Sequence, residues 1–158
     1  MKLLKCAIYL SITGIIGFFA GRIIPRQWLN PQKGLFSSFS FEKDGKIYGK
    51  LKIRRWQNKV LDMSRILPFW MPAKNLKGNY KERLQVMIDE TCVAEVIHIA
   101  ISIFGGYCVC IWPGMGGITV AVINILFLNL PYILIQRYNR PRLIRLQRQL
   151  SVKKEGDI

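Results

Sequence analysis

Long apolar stretches alternate with basic ones along this chain. Residues 3–24 are almost entirely apolar and stop at Pro25, a second apolar run opens near residue 87 and reaches Trp112, and a third extends from Ile118 to about Arg137. Each run is close to the roughly 20 residues that a helix needs to cross a bilayer. The pattern predicts an all-α integral membrane protein with about three transmembrane helices plus amphipathic interfacial helices.

The region between the first two runs is amphipathic. Its Asp44-Gly45 pair suits either a hairpin turn or the cap of a helix. We favour the helix, because aromatic residues mixed with Lys and Arg suit a membrane interface. This helix would place four side chains against lipid: Ile47, Tyr48, Leu51 and Ile53. Residues 66–72 are too short to span and contain two prolines, which predicts an interfacial or re-entrant segment.

We expect a single membrane domain over residues 1–158. Residues 3–24 form the first span or an uncleaved signal anchor, since the basic start resembles a signal peptide but no convincing cleavage site follows. Residues 25–86 form the amphipathic cytoplasmic or interfacial segment. Residues 87–137 form a hairpin of two spans, with a turn at Pro113 and a kink at Pro131. Residues 138–158 are a basic tail.

Charge strengthens the membrane prediction and sets its orientation. A net charge of +15 with 51% hydrophobic residues is unusual for a soluble globule but suits apolar spans with basic flanks. A nucleic-acid binder is disfavoured, because the apolar residues lie in long blocks and no nucleic-acid-binding motif occurs. Lys and Arg number 15 from Arg22 to Thr91, 7 from Arg137 onward and none in the Pro113 turn. The basic segments of a multi-pass cell-membrane protein therefore face the cytoplasm.

The second apolar run carries the candidate chemistry. Thr91, Glu95, His98 and Ser102 are spaced to line one face of a helix. Ionisable side chains at membrane depth are costly and mark functional sites. We assign His98 as a general base for a hydroxyl and Glu95 as the group that orients its imidazole. The alternative is a structural hydrogen bond between helices.

Two other chemistries receive less support. Glu95-x-x-His98 is half of a di-iron signature, but the chain contains one histidine, so we expect no metal and no cofactor. The four cysteines lie in apolar segments without metal spacing and are expected to be reduced. Cys92 is a weaker candidate as a covalent nucleophile, because it lies about 100° from Thr91 around the helix.

Arginines cluster where the last span meets the cytoplasm. Arg137, Arg140 and Arg142 are suited to hold phosphates of a substrate, and the alternative is that they anchor the span at the headgroups. The full predicted substrate-binding set is Arg137, Asn139, Arg140, Arg142, Glu90 and Trp56.

Four motifs occur in order and together resemble one known family. They are Phe39-Ser40-Phe41-Glu42-Lys43; Arg55-Trp56 with Lys59-Val60-Leu61-Asp62; Met87-Ile88-x-Glu90-Thr91 with Ala94-Glu95-x-Ile97-His98; and Asn129-x-Pro131 with Ile135-Gln136-Arg137-Tyr138-Asn139-Arg140-Pro141-Arg142-Leu143. They resemble the glycosyl-4,4'-diaponeurosporenoate acyltransferase family over about residues 36–150. Residues 64–80, the first span and Gln57-Asn58 depart from the family pattern.

The resemblance implies transfer of a fatty acyl group to a sugar hydroxyl of a membrane glycolipid. The expected acyl donor is acyl-CoA, acyl carrier protein or a phospholipid, whose phosphates the three arginines would hold. In that family the acceptor is the glucose C6 hydroxyl of a glycosylated carotenoid, in the last step toward staphyloxanthin. The competing function is a non-enzymatic membrane scaffold that binds anionic lipids or partner membrane proteins. The buried Glu95 and His98 favour the enzyme, because a scaffold has no need of them.

Overall fold

The computed structural model describes residues 1–42, 45–60 and 80–156, with side chains to residue 152. Within these ranges the chain is helical and contains no strand. Three helical stretches are long and apolar enough to cross a membrane: Lys2–Ile23, Tyr80–Ile111 and Met115–Val152. The predicted all-α architecture with three candidate spans is therefore confirmed.

The long helices follow the three apolar runs closely. Helix α1 is Lys2–Ile23, followed after a connecting segment by the short helices α2, Ile47–Lys50, and α3, Ile53–Trp56. Helix α4 is Tyr80–Gly105 and α5 is Cys108–Ile111. Helix α6, Met115–Ile123, leads through a π-helical segment, Asn124–Asn129, into α7, Leu130–Gly156. The tail beyond residue 138 is thus continuous with the last span.

The π-helical segment lies immediately before Pro131. Proline has no N–H, so it cannot bond to the carbonyl four residues earlier in an α-helix. A wider turn is one way in which a helix accommodates this loss, and such turns are frequent at functional sites. This segment ends at Asn129, directly before the helix that contains Pro131, and the kink predicted at Pro131 stays a prediction.

The described residues form two compact units. The first contains residues 1–28 and 93–133. Within it α1 packs closely against α4, since a Cβ added at Gly17 would lie 3.1 Å from both Ile97 and Ile101. Small residues permit such an approach of helices in a membrane. The opposite face of α1 is apolar and exposed, as expected for contact with lipid: Ile8, Ile12, Ile15, Ile16 and Phe19.

The second unit contains residues 29–92 and 134–158. Its core is built from Tyr48, Ile53 and Tyr138, with three partly buried apolar side chains packed around them: Trp56, Leu134 and Ile135. The beginning of α4 also contacts the end of α7, where Gln147 Nε2 donates to Gln85 Oε1 at 3.1 Å.

The structure differs in two respects from the amphipathic helix predicted around residues 47–55. It is interrupted at Lys52, whose φ of 50° is left-handed and separates α2 from α3. Tyr48 and Ile53 are buried inside the second unit instead of contacting lipid. Sequence periodicity could not distinguish these two apolar environments, because protein core and lipid both select apolar side chains. The proposed roles of Asp44 and of residues 66–72 lie outside the described residues.

Candidate active site

His98 lies on α4 in the first unit and has a defined polar partner. Its Nδ1 atom is 2.9 Å from Oδ1 of Asn129, at the end of the π-helical segment. The imidazole also stacks on the ring of Tyr132, with centroids 4.4 Å apart and planes inclined by 10°. The polar contact at Nδ1 and the aromatic ring stacked on the imidazole therefore hold the orientation of His98.

Asn129 is in turn held by Asn124. Its Nδ2 donates to the backbone oxygen of Asn124 at 2.8 Å and to the side-chain Oδ1 of Asn124 at 3.0 Å. Asn124 Nδ2 donates to the backbone oxygen of Ile101 on α4 at 3.3 Å. Both asparagines are 2% exposed. Burial with several hydrogen bonds is the state in which amides are tolerated in an apolar span.

The π-helical turn explains why these asparagines meet. In an α-helix residues five apart point in directions about 140° apart, whereas the π-helical pattern joins residue i to residue i+5. Asn124 and Asn129 are separated by five positions, so the wider turn places both on one side. Their presence within the last apolar span was visible in the sequence, but their pairing with His98 was not.

The other members of the predicted α4 face have separate surroundings. Glu95, predicted to orient His98, is 1% exposed. Ser102 Oγ donates to the backbone oxygen of His98 at 2.8 Å, which turns it back onto its own helix. Thr91 Oγ1 donates to the backbone oxygen of Ile88 at 2.6 Å.

The second unit contains an ion pair that the sequence did not predict. Arg137 Nε lies 2.5 Å from Glu42 Oε1, and Arg137 Nη2 lies 3.1 Å from Glu42 Oε2. Glu42 also accepts hydrogen bonds from the Tyr48 hydroxyl at 2.5 Å and from the Phe39 N–H at 3.0 Å. The carboxylate is 2% exposed, so these four bonds replace its hydration.

The Glu42 carboxyl group and the Tyr48 phenol in this cluster both have shifted pKa values. Burial raises the pKa of Glu42, but the hydrogen bonds from Arg137, Tyr48 and Phe39 outweigh it and hold the pKa below the usual 4.5. Burial, followed by the hydrogen bond to the Glu42 carboxylate, raises the pKa of Tyr48 to about 12. The pair therefore consists of a carboxylate and a neutral phenol at neutral pH.

The two buried arginines bind their own chain. Arg137 also donates to the backbone oxygens of Leu35 and Ser37. Arg140 donates two hydrogen bonds to Thr91, one to its Oγ1 atom at 2.8 Å and one to its backbone oxygen at 3.1 Å. It also donates to the backbone oxygen of Phe36 at 2.8 Å. These contacts hold residues 35–42 against α7. They border a small pocket lined by Phe36, Ser38, Glu42, Arg137, Arg140 and Pro141.

The remaining predicted substrate-binding residues are more accessible. Arg142 is exposed, donates to the Tyr138 hydroxyl and lies with its guanidinium 4.6 Å above the Tyr138 ring. Asn139 and Glu90 are half-buried. Trp56 is also half-buried, and its indole N–H donates to the backbone oxygen of Leu51 at 3.1 Å.

The cysteines and the acidic side chains add no further candidate chemistry among the described residues. All four cysteines are free thiols, and Cys92 is fully buried. Within residues 1–42, 45–60 and 80–152, no three His, Cys, Asp or Glu side chains are grouped so as to hold a metal ion.

Comparison with known proteins places the chain in a family. The family model of glycosyl-4,4'-diaponeurosporenoate acyltransferase matches residues 25–149. The protein of that name from Staphylococcus aureus strain Newman is 33% identical over 95% of this chain and 90% of its own length. The protein of that name from strain N315 is 32% identical over 96% and 90%. No solved structure matches significantly. The chain therefore belongs to the glycosyl-4,4'-diaponeurosporenoate acyltransferase family.

Proposed function

We propose that this protein is a membrane O-acyltransferase that moves a fatty acyl chain onto a sugar hydroxyl of a glycosylated carotenoid. Its family and the names of its relatives support this reaction class and acceptor. The observation within the chain that carries the proposal is His98, the chain's one histidine, on a candidate span with its ring held by Asn129 and Tyr132. Oriented ionisable groups at membrane depth are typical of active sites.

The proposed chemistry needs a base for the sugar hydroxyl. As the hydroxyl oxygen attacks the acyl carbonyl carbon, its proton passes to His98, and the carbonyl carbon then releases the donor's leaving group, which takes that proton. Glu95, one helical turn before His98, is the proposed counter-charge for the imidazolium formed on the way. General acid–base catalysis of this kind contributes about 10²- to 10⁴-fold in rate.

The donor is proposed to be acyl-CoA, acyl carrier protein or a phospholipid, all of which carry phosphate. Arg137, Asn139, Arg140 and Arg142, with Glu90 and Trp56, remain the proposed substrate-binding set. The contacts of Arg137 and Arg140 support an indirect contribution, in which they shape the pocket beside Phe36 by holding residues 35–42. Exposed Arg142 is the arginine best suited to contact a phosphate directly.

The proposed location is the cell membrane, with three spans and the basic segments facing the cytoplasm. The three candidate spans support membrane insertion. The 15 Lys and Arg between Arg22 and Thr91, against none in the Pro113 turn, support the orientation.

Lipid mass spectrometry in a host that makes the glycosylated carotenoid tests the proposal. Cells with the wild-type chain should convert the glycolipid to its acylated form, and His98→Gln should lower the rate by about 10²- to 10⁴-fold at equal membrane abundance. Ser102→Ala is the matched control, because it removes a polar group from the same helix without touching the imidazole. Unacylated glycolipid in wild-type cells would refute the enzyme proposal and favour a scaffold.

A further inference from the structure

The direction of the Asn129 amide is determined by its neighbours. Its Nδ2 faces two oxygens of Asn124, the backbone carbonyl and the side-chain Oδ1. The side chain of Asn124 is itself oriented, because its own Nδ2 donates to the carbonyl of Ile101. Rotating the Asn129 amide by 180° would place its oxygen against these two acceptors, with no proton between them. Oδ1 of Asn129 therefore points at His98.

This direction decides which imidazole nitrogen carries the proton. An amide oxygen only accepts, so the Nδ1 atom 2.9 Å away must donate. Neutral imidazole has a single N–H, which leaves Nε2 unprotonated with its lone pair available. The opposite tautomer would set two buried acceptors against each other.

The hydrogen-bond network that reaches His98 consists of neutral groups. It runs from the backbone carbonyl of Ile101 through Asn124 and Asn129 to the ring, and each link is a neutral hydrogen bond. A neutral orienting group adds no further charge to an apolar span beyond the proposed counter-charge of Glu95. The Tyr132 ring stacked on the imidazole completes the alignment, because it fixes the ring plane while Asn129 fixes rotation within it.

We propose that Asn129, supported by Asn124, is a positioning residue that holds His98 as the Nδ1–H tautomer and presents the Nε2 lone pair to the acceptor hydroxyl. This inference rests on the proposed role of His98 as the base. Free histidine favours the Nε2–H tautomer, in which Nε2 already carries a proton and cannot take another. Loss of the asparagine network should therefore lower kcat, whereas KM for the glycolipid should change little.

The single histidine allows a direct test. The full chain labelled with ¹⁵N-histidine and placed in lipid nanodiscs gives nitrogen signals from one ring only, and the chemical shifts distinguish protonated from unprotonated nitrogen. At a pH where the ring is neutral, the wild-type protein should show N–H at Nδ1 and a bare nitrogen at Nε2. This measurement needs no variant, so a folding defect cannot obscure it.

Variants connect the tautomer to the reaction. Asn129→Leu and Asn124→Leu should both shift the ring toward Nε2–H. Asn129→Leu should lower kcat at least about tenfold, short of the roughly 10⁴-fold that a locked wrong tautomer costs a serine protease. Thr119→Val is the matched control, because it removes a hydroxyl that bonds only within its own helix at an exposed position on α6.

The outcomes separate this inference from the function on which it rests. A wild-type ring carrying its proton on Nε2 overturns the positioning inference, even if acyl transfer by the wild-type protein is intact. A tautomer change in Asn129→Leu with unchanged kcat overturns it as well. Absence of acyl transfer in the wild-type protein refutes the proposed function and, with it, the catalytic half of the inference. The expected tautomer together with a kcat loss in both asparagine variants supports it.

Discussion

Replacing Glu42 by alanine should release residues 35–42 and 45–59 from α7. Glu42 accepts two hydrogen bonds from Arg137, one from Tyr48 and one from the backbone of Phe39, and its carboxylate is almost fully buried. Tyr48 is also part of the core of the second unit. The substitution therefore removes an ion pair and, at the same time, the partner of a buried core hydroxyl.

The size of the effect follows from these contacts. Hydrogen bonds to charged groups contribute about 1.5–3 kcal/mol each, but a simple sum over four overcounts, because Arg137 keeps its bonds to Leu35 and Ser37. Breaking a buried ion pair by removing one partner costs about 3–5 kcal/mol. At 1.4 kcal/mol for each factor of ten, the open population should rise by about 10²- to 4 × 10³-fold.

Limited trypsin digestion in detergent micelles measures this opening. Cleavage after Lys50, Lys52 and Arg54, which lie in or beside α2 and α3, follows the open population when opening and closing are fast relative to cleavage. Peptide mass spectrometry should show faster cleavage at these sites in Glu42→Ala by the factor given above. Arg142→Ala, which removes an exposed arginine from the same helix as Arg137, is the control and should change cleavage little.

A double-mutant cycle sharpens the prediction. Arg137→Ala should open this region at least as much as Glu42→Ala, because it also removes the bonds to Leu35 and Ser37. The double variant should be little worse than Arg137→Ala alone, because the carboxylate and the guanidinium belong to one interaction. Cleavage in Glu42→Ala that is no faster than in Arg142→Ala would refute the reasoning. Fully additive effects of the two single substitutions would show that the side chains do not act as a pair.

Two further predictions concern pH and packing. Because folding lowers the pKa of Glu42 and raises that of Tyr48, stability should be lost as pH falls below about 4.5 and again as it rises from 10 to about 12. The melting temperature followed by circular dichroism should show both losses, and Tyr48→Phe should reduce the alkaline one; an unchanged alkaline loss would contradict the assignment to Tyr48. Gly105→Ala should displace Asn124, because the new Cβ would lie 2.0 Å from Asn124 Nδ2, and acyl transfer should fall at least about tenfold with loss of the His98 network. Gly14→Ala, where a Cβ meets nothing within 4 Å, is its control, and equal activity of the two variants would contradict the prediction.

Apolar run length was sufficient to predict the three candidate spans, because crossing a bilayer depends on local composition and helix length. The same reasoning identified His98 as the unusual group in the second span, since a titratable side chain among Ile, Val and Ala is conspicuous without any structure. The family motifs were also readable in order along the chain. Each of these inferences depends on properties of residues close together in the sequence.

Sequence alone did not separate lipid-facing from core-facing apolar residues. Tyr48 and Ile53 have the spacing expected of a lipid-contacting helix, yet they pack with Tyr138, which is far away in the chain. The break at Lys52 was equally hidden, because a single left-handed residue has little sequence signature unless it is glycine.

The sequence by itself determined the all-α class, the three candidate spans and the histidine around which the chemistry is proposed, because hydropathy acts through local composition. Tertiary structure alone decided which groups pair. Asn129 meets His98 across 31 residues, and Arg137 meets Glu42 across 95. The physical reason is that a buried polar side chain must find a partner wherever the fold places one, and several asparagines and arginines in this chain were chemically able to serve.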